Sequence, residues 1–247
     1  MGEFDGIKAI VTGGASGIGA ATIAMLVKRG ATVAALDVSF SVIKDGQPLQ
    51  VPCDIADGRS SEDAIAQAAD RLGGIDVMVN NAGIGASGDV TENSEEEWRR
   101  VLDVNVTGIA RTSRAVLPHL RKSNHAAIVN VASVVAHVGV VQRALYSASK
   151  GAIHALTLAM AADHLKDHIR VTAVSPGTAD TPWVGRLLEQ SDNADAASAA
   201  LRQRQPMGRL VSADEIAAAI CYLASPLASA TTGTVLHVDG GMAGVRV

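Results

Sequence analysis

The sequence predicts an α/β architecture: one domain built on a doubly wound parallel sheet with helices on both faces. Three observations carry this. Short β-branched runs alternate with longer Ala-rich stretches of helical period. The β-branched runs lack polar alternation, as strands covered on both faces do. The 247-residue chain is 48% hydrophobic and only 19% charged, enough apolar material for one large core. Aromatic residues are only 2%, so aliphatic side chains and glycine must build that core.

The expected strands are 8–12, 32–36, 50–53, 76–79, 127–131, 170–174 and 235–238. The expected helices are 17–29, 60–72, 95–116, 146–164 and 213–223. Gly30 follows the first helix, where a left-handed cap is expected. Ser212, with Glu215 three residues on, has capping-box spacing before the last helix. No Pro-, Gly- or Ser-rich linker and no solenoid repeat appears, so residues 1–247 read as a single domain. Residues 178–210 stand outside the alternation, as an insertion with Pro, Ala and charge but no strand pattern. Such insertions at the carboxyl edge of a sheet serve as lids or substrate loops.

Composition narrows the function. Lys plus Arg is 21 against 25 for Asp plus Glu, a net charge of −4 with no basic block. Nucleic acid and acidic membrane are therefore poor partners, and a small-molecule substrate is the expectation. Apolar runs fall short of the ~20 residues of a membrane span. Residues 1–8 carry two acids and no apolar stretch, unlike a signal peptide. Cys53 and Cys221 are the only cysteines, too few for a disulfide framework or a zinc site. No metal is expected, and a cytoplasmic, reducing compartment is.

The run Thr12-Gly13-Gly14-Ala15-Ser16-Gly17-Ile18-Gly19 follows the first strand and opens the first helix. Glycines there allow a tight turn and close backbone approach, and the helix N-terminus faces a pyrophosphate. The spacing is G-x-x-x-G-x-G rather than G-x-G-x-x-G, and a purely structural turn is the alternative. Asp37 ends the second strand, 18 residues past Gly19. An acid there accepts hydrogen bonds from both ribose hydroxyls of NAD and repels a 2′-phosphate. Ser16 and Val38 stand where a base would hold that phosphate, which favours NAD over NADP. A solvated strand-end acid is the plainer alternative. Asp54 and Ile55 close the third strand, placed to flank adenine.

Tyr146 and Lys150 stand at i and i+4 on an expected helix and share a face. A phenol is a poor base at its reference pKa of ~10. A nearby ammonium, joined by a cationic nicotinamide, would lower it. Ser133, 13 residues upstream of Tyr146, ends the fifth strand and can donate to a carbonyl or alkoxide. Asn105 interrupts an apolar helical run, which suggests a local break with a bound water. A side chain satisfying its own helix is the other reading.

These elements resemble the short-chain dehydrogenase/reductase family across essentially the whole chain. The matching motifs are Thr12-Gly13-x-x-x-Gly17-x-Gly19, Asn80-Asn81-Ala82-Gly83, Asn105, Ser133, Tyr146-x-x-x-Lys150, Pro176-Gly177 and Asp239-Gly240-Gly241. The resemblance implies a Rossmann-like, seven-stranded sheet and a homotetramer. It implies Tyr146 as general acid/base and Lys150 as ribose binder and tuner of the tyrosine. Ser133 would orient substrate, and Asn105 would hold a relay water. Asn81, Ala82 and Gly83 would line the adenosine-ribose side. Thr178, Ala179 and Thr181, after Pro176 and Gly177, would meet the carboxamide.

The substrate side is read from two segments. Arg143, three residues before Tyr146, is placed to clamp a carboxylate, unless it is a solvent-facing arginine at a helix start. Arg186 and Arg204 in the insertion would close over the same group, unless each is a surface charge. Trp183 fits stacking on a ring or chain. His137, four residues after Ser133, hydrogen-bonds a substrate hydroxyl or else forms pocket wall. The stretches 139–143, 176–182 and 204–205 look like the branch holding cytosolic 3-hydroxybutyrate dehydrogenase-type enzymes. Bacterial dehydrogenases of sugars and sugar acids, such as 2-keto-3-deoxy-L-fuconate and L-fucose, lie in the same branch. The expectation is an NAD-dependent oxidoreductase for a secondary alcohol on a small polar, carboxylate-bearing or sugar-like substrate. The rivals are a 3-oxoacyl-thioester reductase, against which Asp37 stands, and a non-catalytic NAD-binding sensor, which needs no acid/base pair.

Overall fold

The computed structural model describes residues 2–40, 48–189 and 193–246, with the backbone alone at 183 and 186–188. Seven parallel strands form the main sheet in the order β3-β2-β1-β4-β5-β6-β9. They are β1 (Lys8–Thr12), β2 (Thr32–Asp37), β3 (Leu49–Pro52), β4 (Val77–Asn80), β5 (Ala127–Val131), β6 (Arg170–Pro176) and β9 (Val235–Val238). All seven expected strands are present, shifted by a residue or two at some ends.

Strand periodicity sorts the core into two layers. In β1, Ala9 and Val11 join one apolar cluster and Ile10 the other; in β4, Val77 and Val79 oppose Met78 in the same way. The first layer packs under α1 (Gly17–Lys28) and α8 (Ala213–Ala224), through Ile23, Leu26, Ile216 and Ile220. The second packs under α2 (Gly58–Leu72), α4 (Gly108–Leu120) and α5 (Ala144–His164), through Ile65, Val116, Leu120 and Met160. Both sheet faces are thus covered, which is why the strands need no polar side.

Caps follow the sequence signals. Gly30 has φ +105 just past α1. Ser212 and Glu215 form the reciprocal capping box at α8. The expected helix 95–116 is three pieces: α3 (Glu95–Leu102), a π turn (Asp103–Thr107) and α4. The break falls on Asn105, whose side chain bonds elsewhere. The insertion 178–210, expected to carry no strand pattern, holds one short strand and two helices. It holds α6 (Pro182–Glu189) and α7 (Ala194–Gln203), with β7 (Ala179–Asp180) pairing in parallel to β8 (Val211–Ser212) beyond it. Pro182 at the first turn and Asn193 capping Ala196 N–H set the two helix starts.

β1 and β4 are neighbours, and their connections leave in opposite directions along the sheet. That switch point opens a crevice at the carboxyl ends of the strands.

Candidate active site

A cleft of about 700 Å³ occupies this crevice, lined from the ends of β1, β2, β4, β5 and β6. Its first wall is the glycine turn. Gly13 has φ +65, and a Cβ there would lie 2.9 Å from Ala82 Cα; a Cβ on Gly19 would run into the Gly13 carbonyl oxygen. Thr12 braces this turn, its hydroxyl accepting from Asn81 N–H and Ala82 N–H, each at 3.1 Å. The Asn81 amide in turn donates to the carbonyls of Thr12 (2.9 Å) and Gly13 (3.1 Å). Asn81 therefore holds the turn in shape, while Ala82 and Gly83 line the cleft beside it.

Ser16 caps α1 without a side-chain hydrogen bond. It lines the cleft with Gly13, Gly17, Ile18, Asp37, Asp54 and Ile55. Asp37 Oδ2 accepts from Ala15 N–H at 3.0 Å, so the acid is tied to the turn it faces. Pro176, Gly177, Thr178, Ala179 and Thr181 form the far wall. A glycine turn packed too tightly for side chains, a helix start without a side-chain capping bond and a strand-end acid fit a dinucleotide.

The polar constellation lies beside the end of β5. Ser133 caps the short turn that follows, its hydroxyl accepting from Val135 N–H at 3.4 Å, and it lines the cleft together with Tyr146. Tyr146 and Lys150 both project from α5 into the cleft. Lys150 is buried, its Nζ donating to the Val131 carbonyl at 2.9 Å and lying 5.7 Å from the Tyr146 ring centroid. Asn105 is fully buried: Oδ1 accepts from Ile84 N–H (2.8 Å), and Nδ2 donates to Ile84 O (2.9 Å) and Ser149 Oγ (3.1 Å). Ser149 donates onward to the Tyr146 carbonyl at 2.8 Å. The π turn is thereby fastened to both the 83–85 segment and the start of α5.

The electrostatics correct one expectation. The protein's own groups do not lower Tyr146 in this cleft. Desolvation raises the phenol above its ordinary value of 10.0, against the opposing Ser133 hydrogen bond and Arg143 charge. The Lys150 ammonium is engaged with Val131 and is itself pushed down to about 8 by burial. Folding thus holds Lys150 where its charge is disfavoured. The penalty is full below about pH 8 and is relieved as pH rises toward the unfolded value of 10.5. It amounts to about 3 kcal/mol at neutral pH. Lys150→Met removes it but strands the Val131 carbonyl, at roughly 1–3 kcal/mol. The variant should melt a few degrees higher than the parent at pH 7, an advantage that vanishes near pH 10. A lower melting temperature at both pH values in scanning calorimetry would contradict this.

On the substrate side, Arg143 and Arg204 both line the cleft, near enough for Arg204 to depress the Arg143 guanidinium, already lowered by burial. Arg143 Nη1 donates to Ser87 Oγ and the Gln142 carbonyl. Gln142 is held at φ +58, and a bridge between Gly88 and Arg143 staples the segment to the wall. Among the described residues neither arginine has a carboxylate partner. His137 is not brought to the cleft; its ring packs against His154 and His237, with centroids 4.8 Å and 4.5 Å away. The side chains of Trp183 and Arg186 lie outside the described residues. Sequence reasoning missed Thr12 and Ser149 as braces, and a buried amide, Gln205. Their roles come from contacts between distant segments, for which local spacing carries no signal.

The enoyl-(acyl carrier protein) reductase family model matches residues 13–243. The chain belongs to the short-chain dehydrogenase/reductase family. It is 40% identical over 255 residues to a cis-4-hydroxycyclohexanecarboxylate dehydrogenase of Sinomonas cyclohexanicum, covering 99% of this chain and all of that protein. It is 35% identical over 249 residues to a 3-oxoacyl-(acyl-carrier-protein) reductase of Thermotoga maritima, covering 97% of this chain and 99% of that one. The ligand-free aldohexose dehydrogenase of Thermoplasma acidophilum superposes with a TM-score of 0.91 at 32% identity, covering 99% and 98% of the two chains. This short-chain dehydrogenase/reductase is an oxidoreductase acting on secondary alcohols, and the family uses a nicotinamide cofactor. No helix among the described residues is long and apolar enough to cross a membrane.

Proposed function

We propose that the chain is a cytoplasmic, NAD-dependent dehydrogenase that interconverts a secondary alcohol and a ketone on a small carboxylate-bearing substrate. The observation that carries the substrate class is the pair Arg143 and Arg204, unpartnered by any described acid, on the cleft wall beside Tyr146. Two mutually repelling guanidinium groups are relieved by an anion between them. The 40% identical relative, named for a hydroxycyclohexanecarboxylate, agrees with this class.

A bound nicotinamide dinucleotide supplies the hydride acceptor or donor. The residues that would hold it are the 13–19 turn, Asp37, Asp54, Ile55, the 81–83 segment and 176–181. Ser133 donates to the substrate oxygen. Tyr146, as phenolate, takes the proton of that oxygen in oxidation and, as phenol, returns it in reduction. Lys150 supplies positive charge behind the phenol, and Asn105 fixes the floor of the site. Asp37 selects NAD over NADP.

The test of the substrate class is Arg143→Ala. A clamp present in both ground and transition states acts on binding, and losing a charge-assisted pair costs roughly 1.5–3 kcal/mol. KM for a hydroxy acid should rise about 10- to 150-fold while kcat falls less, and the neutral amide of the same acid should barely respond. A change below about twofold in KM would return Arg143 to the surface and leave a neutral sugar as the better substrate.

A second reading, a 3-oxoacyl-thioester reductase, is favoured by the 35% identical relative, while Asp37 stands against its usual NADPH. We also infer a homotetramer, packed through α4 and α5, whose Leu158 is exposed at 45%. Light scattering should give about four times 25.3 kDa, and an active monomer would refute it.

A further inference from the structure

We infer that Gln205 is a positioning residue that locks the cofactor-facing end of β6 to the segment carrying Arg204, so that the two halves of the cleft are set together. This rests on the function proposed above, and deepens it.

Gln205 is 1% exposed and does not line the cleft, so it acts through its neighbours. Its Nε2 donates to the Thr178 carbonyl at 3.3 Å and to the Arg209 carbonyl at 2.8 Å. Thr178 belongs to the cleft wall after β6, and Arg209 lies on the return from α7 to β8. The loop at the end of β9 closes the same junction: Met207 N–H donates to the Gly240 carbonyl at 3.1 Å. Packing leaves no slack. A Cβ on Gly177 would lie 2.5 Å from Gln205 Oε1 and 2.9 Å from Asp239 Cα.

The chemistry calls for this side chain. Two carbonyl oxygens facing one buried point need a neutral group with two N–H donors, which a carboxamide has and a carboxylate or thioether lacks. The amide's orientation follows: turned over, its oxygen would face two carbonyl oxygens. Its own Oε1 is left buried without a hydrogen-bond partner. Buried polar atoms in that condition are rare, and this one is tolerated where three segments must keep one geometry. Arg204 is the preceding residue, so whatever fixes Gln205 fixes the origin of the Arg204 side chain. Thr178 and Arg204 therefore move as a unit, and occupation of one side of the cleft favours the other.

The test is a titration of NADH fluorescence, alone and with saturating cyclohexanecarboxylate as a non-reacting anionic probe. In the parent the probe should tighten NADH binding severalfold. Gln205→Met keeps the side-chain length and removes the donors. It should weaken NADH by about 5- to 20-fold and reduce the probe's effect to below twofold, in a protein that still folds cooperatively but melts several degrees lower than the parent. Gln205→Glu should bind NADH no better than Gln205→Met at pH 9. It should recover toward the parent at pH 5.5, where a protonated carboxyl again donates to a carbonyl, while Gln205→Met stays flat across that range. A residue that merely fills space would show no such recovery. A folded Gln205→Met with parental NADH affinity and parental probe effect overturns the inference. So does a parent that binds NADH without responding to the probe, or loss of folding in both variants at both pH values. A parent that binds no NADH brings down the proposed function itself, and the inference with it.

Discussion

Tyr146→Phe should retain NADH binding and lose about 10²-fold or more in kcat. The substitution deletes one oxygen. The ring remains on α5, Lys150 keeps its bond to Val131, and the glycine turn and Asp37 lie elsewhere in the cleft. What goes is the hydroxyl, in the cleft with Ser133, that exchanges the substrate proton. The pH dependence gives the sign. Desolvation holds the phenol proton on more tightly than in water, so at neutral pH the acid form predominates. Oxidation needs the phenolate and should accelerate as pH rises; reduction needs the phenol and should slow in the same direction. In Tyr146→Phe both slopes should flatten. Near-parental turnover, or a parent profile that is flat with chemistry rate-limiting, removes Tyr146 from the mechanism.

The second large effect is cofactor choice. The parent should prefer NAD over NADP by about 10²-fold or more in kcat/KM, since a like-charge contact costs several kcal/mol. Asp37→Ala combined with Val38→Arg should reverse the preference. The bond from Ala15 N–H to Asp37 adds a control, because removing the carboxylate also frees part of the glycine turn. Asp37→Asn keeps an acceptor for Ala15 while removing the charge. It should lose discrimination with less damage to NAD affinity than Asp37→Ala. Equal efficiency of the parent with both cofactors would sink the assignment.

The sheet was legible because strands buried on both faces announce themselves as short aliphatic runs, and parallel pairing follows from the helices between them. The π turn was only half legible. Asn105 in an apolar run pointed to a break, but the partners that cause it, Ile84 and Ser149, are 21 and 44 residues away. The insertion was illegible for another reason: α6 and α7 are short, and Val184 and Leu201 on them face the cleft rather than the main core. In the site, the spacing of Ser133, Tyr146 and Lys150 could be read directly. The direction of the Tyr146 shift could not, because it depends on how far water is excluded and where the Lys150 ammonium points.

Beneath the cleft, the strand pairing itself carries a polar lock. Asn80 on β4 and Asn130 on β5 are register partners, and Asn80 Nδ2 donates to Asn130 Oδ1 at 2.9 Å. Asn130 donates to Thr157 Oγ1 (2.9 Å), and Asn80 accepts from Thr112 Oγ1 (2.7 Å). The aliphatic rungs of these strands are nearly interchangeable: Val77, Met78 and Val79 opposite Ala127, Ile128 and Val129 would tolerate other alignments. The amides do not. A slip of one residue puts the two asparagines in opposite apolar layers, and a slip of two leaves both amides without each other, at roughly 1–3 kcal/mol for each unsatisfied group. A sheet made almost wholly of Val, Ile and Ala thus acquires one alignment that is cheaper than its neighbours, decided at the two strands whose ends carry Asn81 and Ser133.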